Sequence, residues 1–323
     1  MSARSERRRE ELIRTSNYYG EQAARAHLDG YHHDALTAIG LAIAALRKLV
    51  RRGGPDLPKY LDVLADALRD RAEMISALAS PELYDQGVED AKEGIELYRE
   101  HGGAAGRPAA LWIATAQVQL AELYAATGQV SHANAAAAAA LAEYLQHETA
   151  DEQFQISLAH ALSRCANVMT PADAALAARR EAVRRYRPWL TQDGYLWKYR
   201  FDRSLIWRST PTLRRASQTA WDLAEQLGPP NKDAAREALA ALQDAAEGFA
   251  ALISSPAMLV PSALIWVETA TVRAIAGRVA EWLTVVGATA TADAYLAEVD
   301  GITSDVETSI RALRPLLTSC AGF

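Results

Sequence analysis

Four stretches of this sequence, residues 31–47, 83–99, 129–145 and 171–187, align without gaps and carry one order of side-chain size. Two small residues stand seven apart in each: Ala35 and Ala42, Gly87 and Gly94, Ala133 and Ala140, Ala175 and Ala182. Four positions further on stands a large residue, Leu46, Tyr98, Tyr144 or Tyr186. Seven residues make two α-helical turns and four more make about one, so the three positions share one stripe. Small residues at fixed heights let a neighbouring helix come close, and the bulky residue fills the space beyond them. The pattern predicts helices that stack on one another.

The turns between these helices are partly legible. Gly30 and Gly128 each precede the first small residue by five, and glycine suits a helix C-terminus because it takes positive φ without steric cost. Elsewhere Ser80 before Pro81, and Thr170 before Pro171 with Asp173 following, predict N-caps with proline in the first turn.

In Leu120-Ala121-x-x-Tyr124, followed by Gly128, Ala133 and Ala140, the sequence resembles the tetratricopeptide family over roughly residues 10–190. The resemblance implies an all-α fold, an α-α superhelix of antiparallel helix pairs. Intervals between the aligned stretches are 52, 46 and 42 residues, against about 34 in the usual repeat. The last approaches the longer variant seen in kinesin-light-chain-like arrays. The first unit lacks the large residues expected in its leading helix, having Gln22 and Ala26 there, and the proline that closes a repeat is displaced, the nearest being Pro188.

Past Trp189 the pattern fades while helical signals continue. Thr210-Pro211 and Asn231 predict helix starts, Gly287 a helix end, and Ser304-x-x-Glu307 a capping box. Gly228-Pro229-Pro230 and Ser254-Ser255-Pro256 read as breaks. The chain thus divides by pattern into repeats over 1–190 and a C-terminal helical extension of five or six helices over 191–323, which continues or caps the stack.

Half of the residues are apolar but only 7% are aromatic, so the core must be built mainly from Ala, Leu, Val and Ile. The apolar run 258–267 is interrupted by Pro261, far short of the roughly 20 residues a membrane span requires. Residues 2–11 mix Arg with Glu and lead into no apolar segment, unlike a signal peptide. Cys165 and Cys320 are the only cysteines, too few for a disulfide framework or a four-thiolate zinc site. A cytoplasmic location is the default expectation.

Phosphate-binding, dinucleotide-binding, serine-hydrolase and zinc-protease motifs do not occur, and no catalytic residue or cofactor is assigned. His27, Asp29, His32, His33 and Asp34 crowd the first helix-helix turn with side chains competent to bind metal. Their spacing fits no zinc signature, and a solvated polar turn without metal is the expectation.

Charge is more informative. Residues 179–215 hold eleven Arg and Lys against Glu181, Asp193 and Asp202, in a chain whose formal net charge is −6. Tyr186, Trp189, Tyr195, Trp197, Tyr199, Phe201 and Trp207 are interleaved with them. Such a stretch suits an anionic or aromatic partner, because Arg grips carboxylate or phosphate bidentately and Trp and Tyr offer a stacking surface. It equally suits a junction where aromatic rings anchor successive helices and Arg stems pack beside them. Arg184, Arg187, Trp197, Arg200 and Arg203 are the candidate partner-binding residues. Nucleic acid fits poorly, since the rest of the chain would repel phosphate.

The resemblance implies a non-catalytic scaffold that receives a protein or peptide segment, one with acidic side chains if the basic stretch is its contact. Two alternatives stay open at the level of sequence. One is a sensor of a small peptide or metabolite. The other is an enzyme with an acid/base or anion-binding site at residues 179–215, with Asp193 and Asp202 as its candidate acids.

Overall fold

Helix formers dominate the segments between the turns, since Ala and Leu lose little side-chain entropy in a helix. The computed structural model accordingly contains helices and no strand among the residues it describes, which are 3–102, 109–149, 151–190, 206–227, 232–253, 262–300 and 313. These are α1 (Ala3–Leu28), α2 (His32–Arg52), α3 (Leu57–Leu78), α4 (Tyr84–His101), α5 (Ala109–Ala126), α6 (Val130–Gln146), α7 (Glu152–Ala166), α8 (Ala172–Leu190), α9 (Ile206–Leu227), α10 (Lys232–Ile253), α11 (Ser262–Val285) and α12 (Thr289–Asp300). No described helix is long and apolar enough to cross a membrane.

The four aligned stretches become α2, α4, α6 and α8, each helix beginning one residue inside the stretch. All eight small positions and all four bulky ones are buried. At Gly87 the approach is tightest: a Cβ there would lie 3.1 Å from both methyl carbons of Leu123 and 3.2 Å from Ile75 Cγ2. Packed interiors leave no slack for an added side chain at such a distance.

Gly30 and Gly128 have φ of 81° and 74° and form the expected turns. Each turn also closes with a backbone bond across it, Tyr31 N to Ala26 O and Gln129 N to Tyr124 O, both 2.8 Å. Two expected caps are corrected. The Ser80 hydroxyl makes no cap bond but donates to Glu82 Oε1 at 2.5 Å, ahead of a short 3-10 turn, Pro81–Leu83. Thr170 is tied to α6 instead: its backbone N donates to Asn134 Oδ1 at 2.7 Å, and Asn134 Nδ2 donates to its hydroxyl at 2.5 Å. At Thr170 the Asn134 amide occupies the oxygen that a cap would offer to the helix end.

The chain forms two compact units, residues 1–149 with 167–172, and residues 150–166 with 173–323. In the first, α1–α2, α3–α4 and α5–α6 are contacting pairs, and α3 also touches α5, the first helix of the following pair. Its core joins Ile39, Ile43, Leu46 and Leu49 of α2 to Tyr60, Leu64 and Leu68 of α3. In the second, α9 meets α10, α10 meets α11 and α11 meets α12, around Leu242, Phe249, Ile275, Val279, Leu283 and Tyr295.

Within that second unit the helix start expected at Thr210-Pro211 is also corrected. α9 begins four residues earlier, at Ile206, and runs through Pro211. Proline is tolerated near a helix start because the first-turn N–H groups have no partner within the helix. α10 begins at Lys232, beside Asn231, and Gly287, with φ of 86°, follows the end of α11. The capping box at Ser304 and the breaks around 228–230 and 254–256 lie outside the described residues.

Candidate functional site

In the second unit, α9 and α11 are the first helices of successive pairs. Gln218, Trp221, Asp222 and Glu225 occupy positions i, i+3, i+4 and i+7 of α9, hence one face. Ala274, Gly277, Arg278 and Glu281 repeat that spacing on α11, and the two faces line a groove of about 620 Å³. One wall is an indole: the Trp221 ring meets Phe249 edge to face, centroids 6.5 Å apart. The other wall is small, and a Cβ built on Gly277 would meet nothing within 4 Å.

Arg278 bridges the two walls. Its Nε and Nη2 donate to Glu225 Oε1 and Oε2 at 2.8 and 2.9 Å, and its Nη1 donates to Glu281 Oε2 at 2.6 Å. The hydrogen bonds from Arg278 hold the Glu225 carboxyl below its ordinary range, with a smaller contribution from Trp221 Nε1. Gln218 Nε2 donates to Asp222 Oδ1 at 2.8 Å. Three carboxylates against one guanidinium leave the groove acidic.

A second polar constellation lies in the first unit, where α3 faces α5. Arg69 donates to Asp70 Oδ1 at 2.7 Å, to Asp66 Oδ1 at 3.1 Å and to the Tyr98 hydroxyl at 3.4 Å. Its guanidinium lies 4.3 Å from the centre of the Trp112 ring, within the range of a cation–π contact. The Tyr98 hydroxyl donates to Asp66 Oδ1 at 2.7 Å, and Gln119 Nε2 donates to Glu73 Oε2 at 3.3 Å. Loss of hydration raises the Asp70 carboxyl above its ordinary range; Arg69 opposes the rise, and Asp66 and Glu73 add to it. Yet 42% of the Asp70 side-chain surface meets solvent.

Of the sequence-predicted residues, Arg184 and Arg187 are described. Arg184 is exposed and held by Glu181 through bonds of 2.6 and 2.5 Å within α8. Arg187 reaches α10, donating from Nε and Nη2 to Asp244 Oδ2 at 3.0 and 2.8 Å. Nearby, Arg179 donates to Gln226 at 2.6 Å, and Arg180 grips Glu237 with two 2.7 Å bonds. Tyr186 is buried against Ala159 and Ala216. Trp197, Arg200 and Arg203, with Asp193 and Asp202, lie outside the described residues.

In the first turn, the His27 and His32 rings stand 5.4 Å apart. The Nδ1 atom of each is buried without a hydrogen-bond partner. Among the described residues no group of three or more His, Cys, Asp or Glu is placed to hold a metal ion.

The α9–α11 groove and the Arg69 constellation both escaped the sequence reading. The i, i+3, i+4, i+7 spacing of Trp221 with three polar residues was present in the sequence. What it lacked was any sign that α11 would stand opposite.

Paired helices with buried small positions make an all-α helical-repeat fold, tetratricopeptide-like in arrangement. The fold is similar to that of BtubC (BKLC) from P. vanneervenii, with a TM-score of 0.52 over 90% of this chain and 93% of that one at 10% identity. A circular tandem repeat protein with novel repeat topology and enhanced subunit contact surfaces aligns over 97% of this chain and 83% of its own at 15% identity, but with a TM-score of only 0.26. No family model matches the sequence, and no curated protein matches it.

Proposed function

We propose that this chain is a non-catalytic scaffold that receives a protein or peptide segment along the first-helix side of its pairs. The observation that carries the reading is the α9–α11 groove. Its volume of about 620 Å³ lies within the usual range for ligand clefts. It sets an aromatic wall opposite a wall of Ala274 and Gly277, so a side chain from a partner can lie between them.

Charge narrows the partner. Arg278 already binds Glu225 and Glu281, and the net negative charge that the three carboxylates leave favours a segment that presents Lys or Arg to this groove, with Trp221 available to stack on the cation. An acidic partner at Arg184, Arg187, Trp197, Arg200 and Arg203 is the other reading; there Glu181 and Asp244 each offset the charge of one described arginine, which leaves no net charge at those two pairs. A cytoplasmic site of action belongs to the same proposal and rests on the low cysteine content.

Selection from a random-peptide display library tests the reading. Wild type should enrich a consensus combining basic and aliphatic residues. Gly277→Leu should abolish that enrichment by filling the groove, while the helix itself gains from losing an interior glycine. Enrichment of the same consensus by Gly277→Leu would remove the groove as the receiving site.

A further inference from the structure

The first helix pair carries a different kind of surface. Arg8 lies in the second turn of α1, whereas Lys48, Arg51 and Arg52 lie in the last two turns of α2. The short turn at residues 29–31 folds the two helices against each other, which brings the start of α1 beside the end of α2. These four cations line one groove of about 650 Å³, with half-buried Leu12 on its wall and Glu11 as its single carboxylate. No residue of α3 lines it.

The neighbouring cations are paired and these are not. Arg9, one residue from Arg8, binds Asp56 and donates to the Tyr60 hydroxyl at 3.0 Å. Arg47, one residue from Lys48, binds Glu93 at 2.6 Å. Among the described residues no carboxylate stands within ion-pair distance of Arg8, Lys48, Arg51 or Arg52, and the one hydrogen bond among them runs from Arg51 Nε to Arg47 O at 3.3 Å. Arg51 and Arg52 complement the negative end of the α2 dipole. That role does not extend to Arg8 or Lys48.

We infer that this groove on the first helix pair docks an acidic protein segment, with its carboxylates on Arg8, Lys48, Arg51 and Arg52 and an aliphatic side chain on Leu12. Arg pairs bidentately with carboxylates, and four like charges held around one cleft gain when anions enter. Glu11 within the lining opposes a compact dianion more than separate single charges, which favours carboxylates over phosphate. Nucleic acid is disfavoured because no aromatic ring lines the groove to stack on a base and the chain as a whole is acidic. A lipid surface is disfavoured because the lining offers Leu12 as its only large apolar side chain.

Fluorescence anisotropy with a labelled peptide of repeated Glu-Asp-Leu triplets, run on the full chain, tests the inference. The acidic peptide should bind and weaken steeply with added salt, while a Lys-Lys-Leu counterpart should not bind. Lys48→Glu with Arg52→Glu should weaken binding about tenfold or more, with the circular dichroism spectrum unchanged because both side chains are exposed. Arg8→Gln, on the other helix, should also weaken it, and it serves if the double variant misfolds. Gly277→Leu should leave this binding intact, so the inference stands or falls apart from the α9–α11 groove. Binding that is absent, or indifferent to both sets of variants, overturns it. Tighter binding to phosphatidylserine vesicles, to oligothymidylate or to a phosphoserine version of the peptide overturns the choice of partner.

Discussion

Arg71 of α3 grips Asp90 of α4 through two parallel hydrogen bonds, Nε to Oδ2 and Nη2 to Oδ1, each 2.6 Å, with only 14% and 5% of the two side chains exposed. The pair locks the two helices of one repeat in register. Taking both charges out of water is costly, but leaving either alone in the same place costs more.

Arg71→Ala or Asp90→Ala should therefore destabilise the fold by about 3–5 kcal/mol. Replacing both with apolar residues of similar volume should restore most of the loss. Urea denaturation of the two single variants and the double variant checks this, and additive losses would show that the pair is not coupled.

Tyr98 closes the neighbouring network. Burial raises its phenol well above the ordinary range, so it stays a hydrogen-bond donor at any pH at which the chain is folded. Tyr98→Phe keeps the ring that ends the small, small, bulky stripe and deletes only the hydroxyl, which donates to Asp66 and accepts from Arg69. The expected cost is about 1.5–3 kcal/mol, the worth of a hydrogen bond to a charged group, read from the denaturation midpoint. Tyr98→Ala should cost distinctly more, because the ring is lost as well.

His160 on α7 gives a pH signature confined to the second unit. Loss of hydration, and then the charges of Arg215 and Arg164, hold it well below the ordinary imidazole value of 6.5. The folded chain keeps it neutral while the unfolded chain protonates it near that value. Its contribution to stability is therefore full above pH 6.5 and falls as pH drops below it, by up to about 1.4 kcal/mol per unit until the folded value is reached. His160→Gln should flatten the stability profile between pH 7 and 5.5 relative to wild type. Parallel profiles would show that the histidine is solvated.

The stacking helices were legible because side-chain bulk repeats in the sequence itself. Ala133, Ala140 and Tyr144 sit where their spacing places them, and the burial follows from geometry alone. The polar interior was not legible. Asp62, Asp66, Arg69, Asp70, Arg71 and Glu73 crowd one helix, and a run of charges reads as a solvated face until its partners are known. Those partners lie 19 to 46 residues away in the chain, at Asp90, Tyr98 and Gln119. Arg187 shows the same limit. Its charge stands out in the sequence, but its counterion, Asp244, lies 57 residues onward.

All of this rests on small residues setting how closely the helices nest, and α6 carries its own control. Ala140 is fully buried, while Ala139, one residue earlier on the same helix, is exposed. Leucine has nearly the helix propensity of alanine, so the same substitution at the two sites differs only in what the added atoms meet. Equilibrium denaturation should show Ala140→Leu destabilised by about 1–3 kcal/mol through overpacking and Ala139→Leu within about 0.5 kcal/mol of wild type. Equal midpoints for the two variants would contradict the nesting of these helices on their small residues.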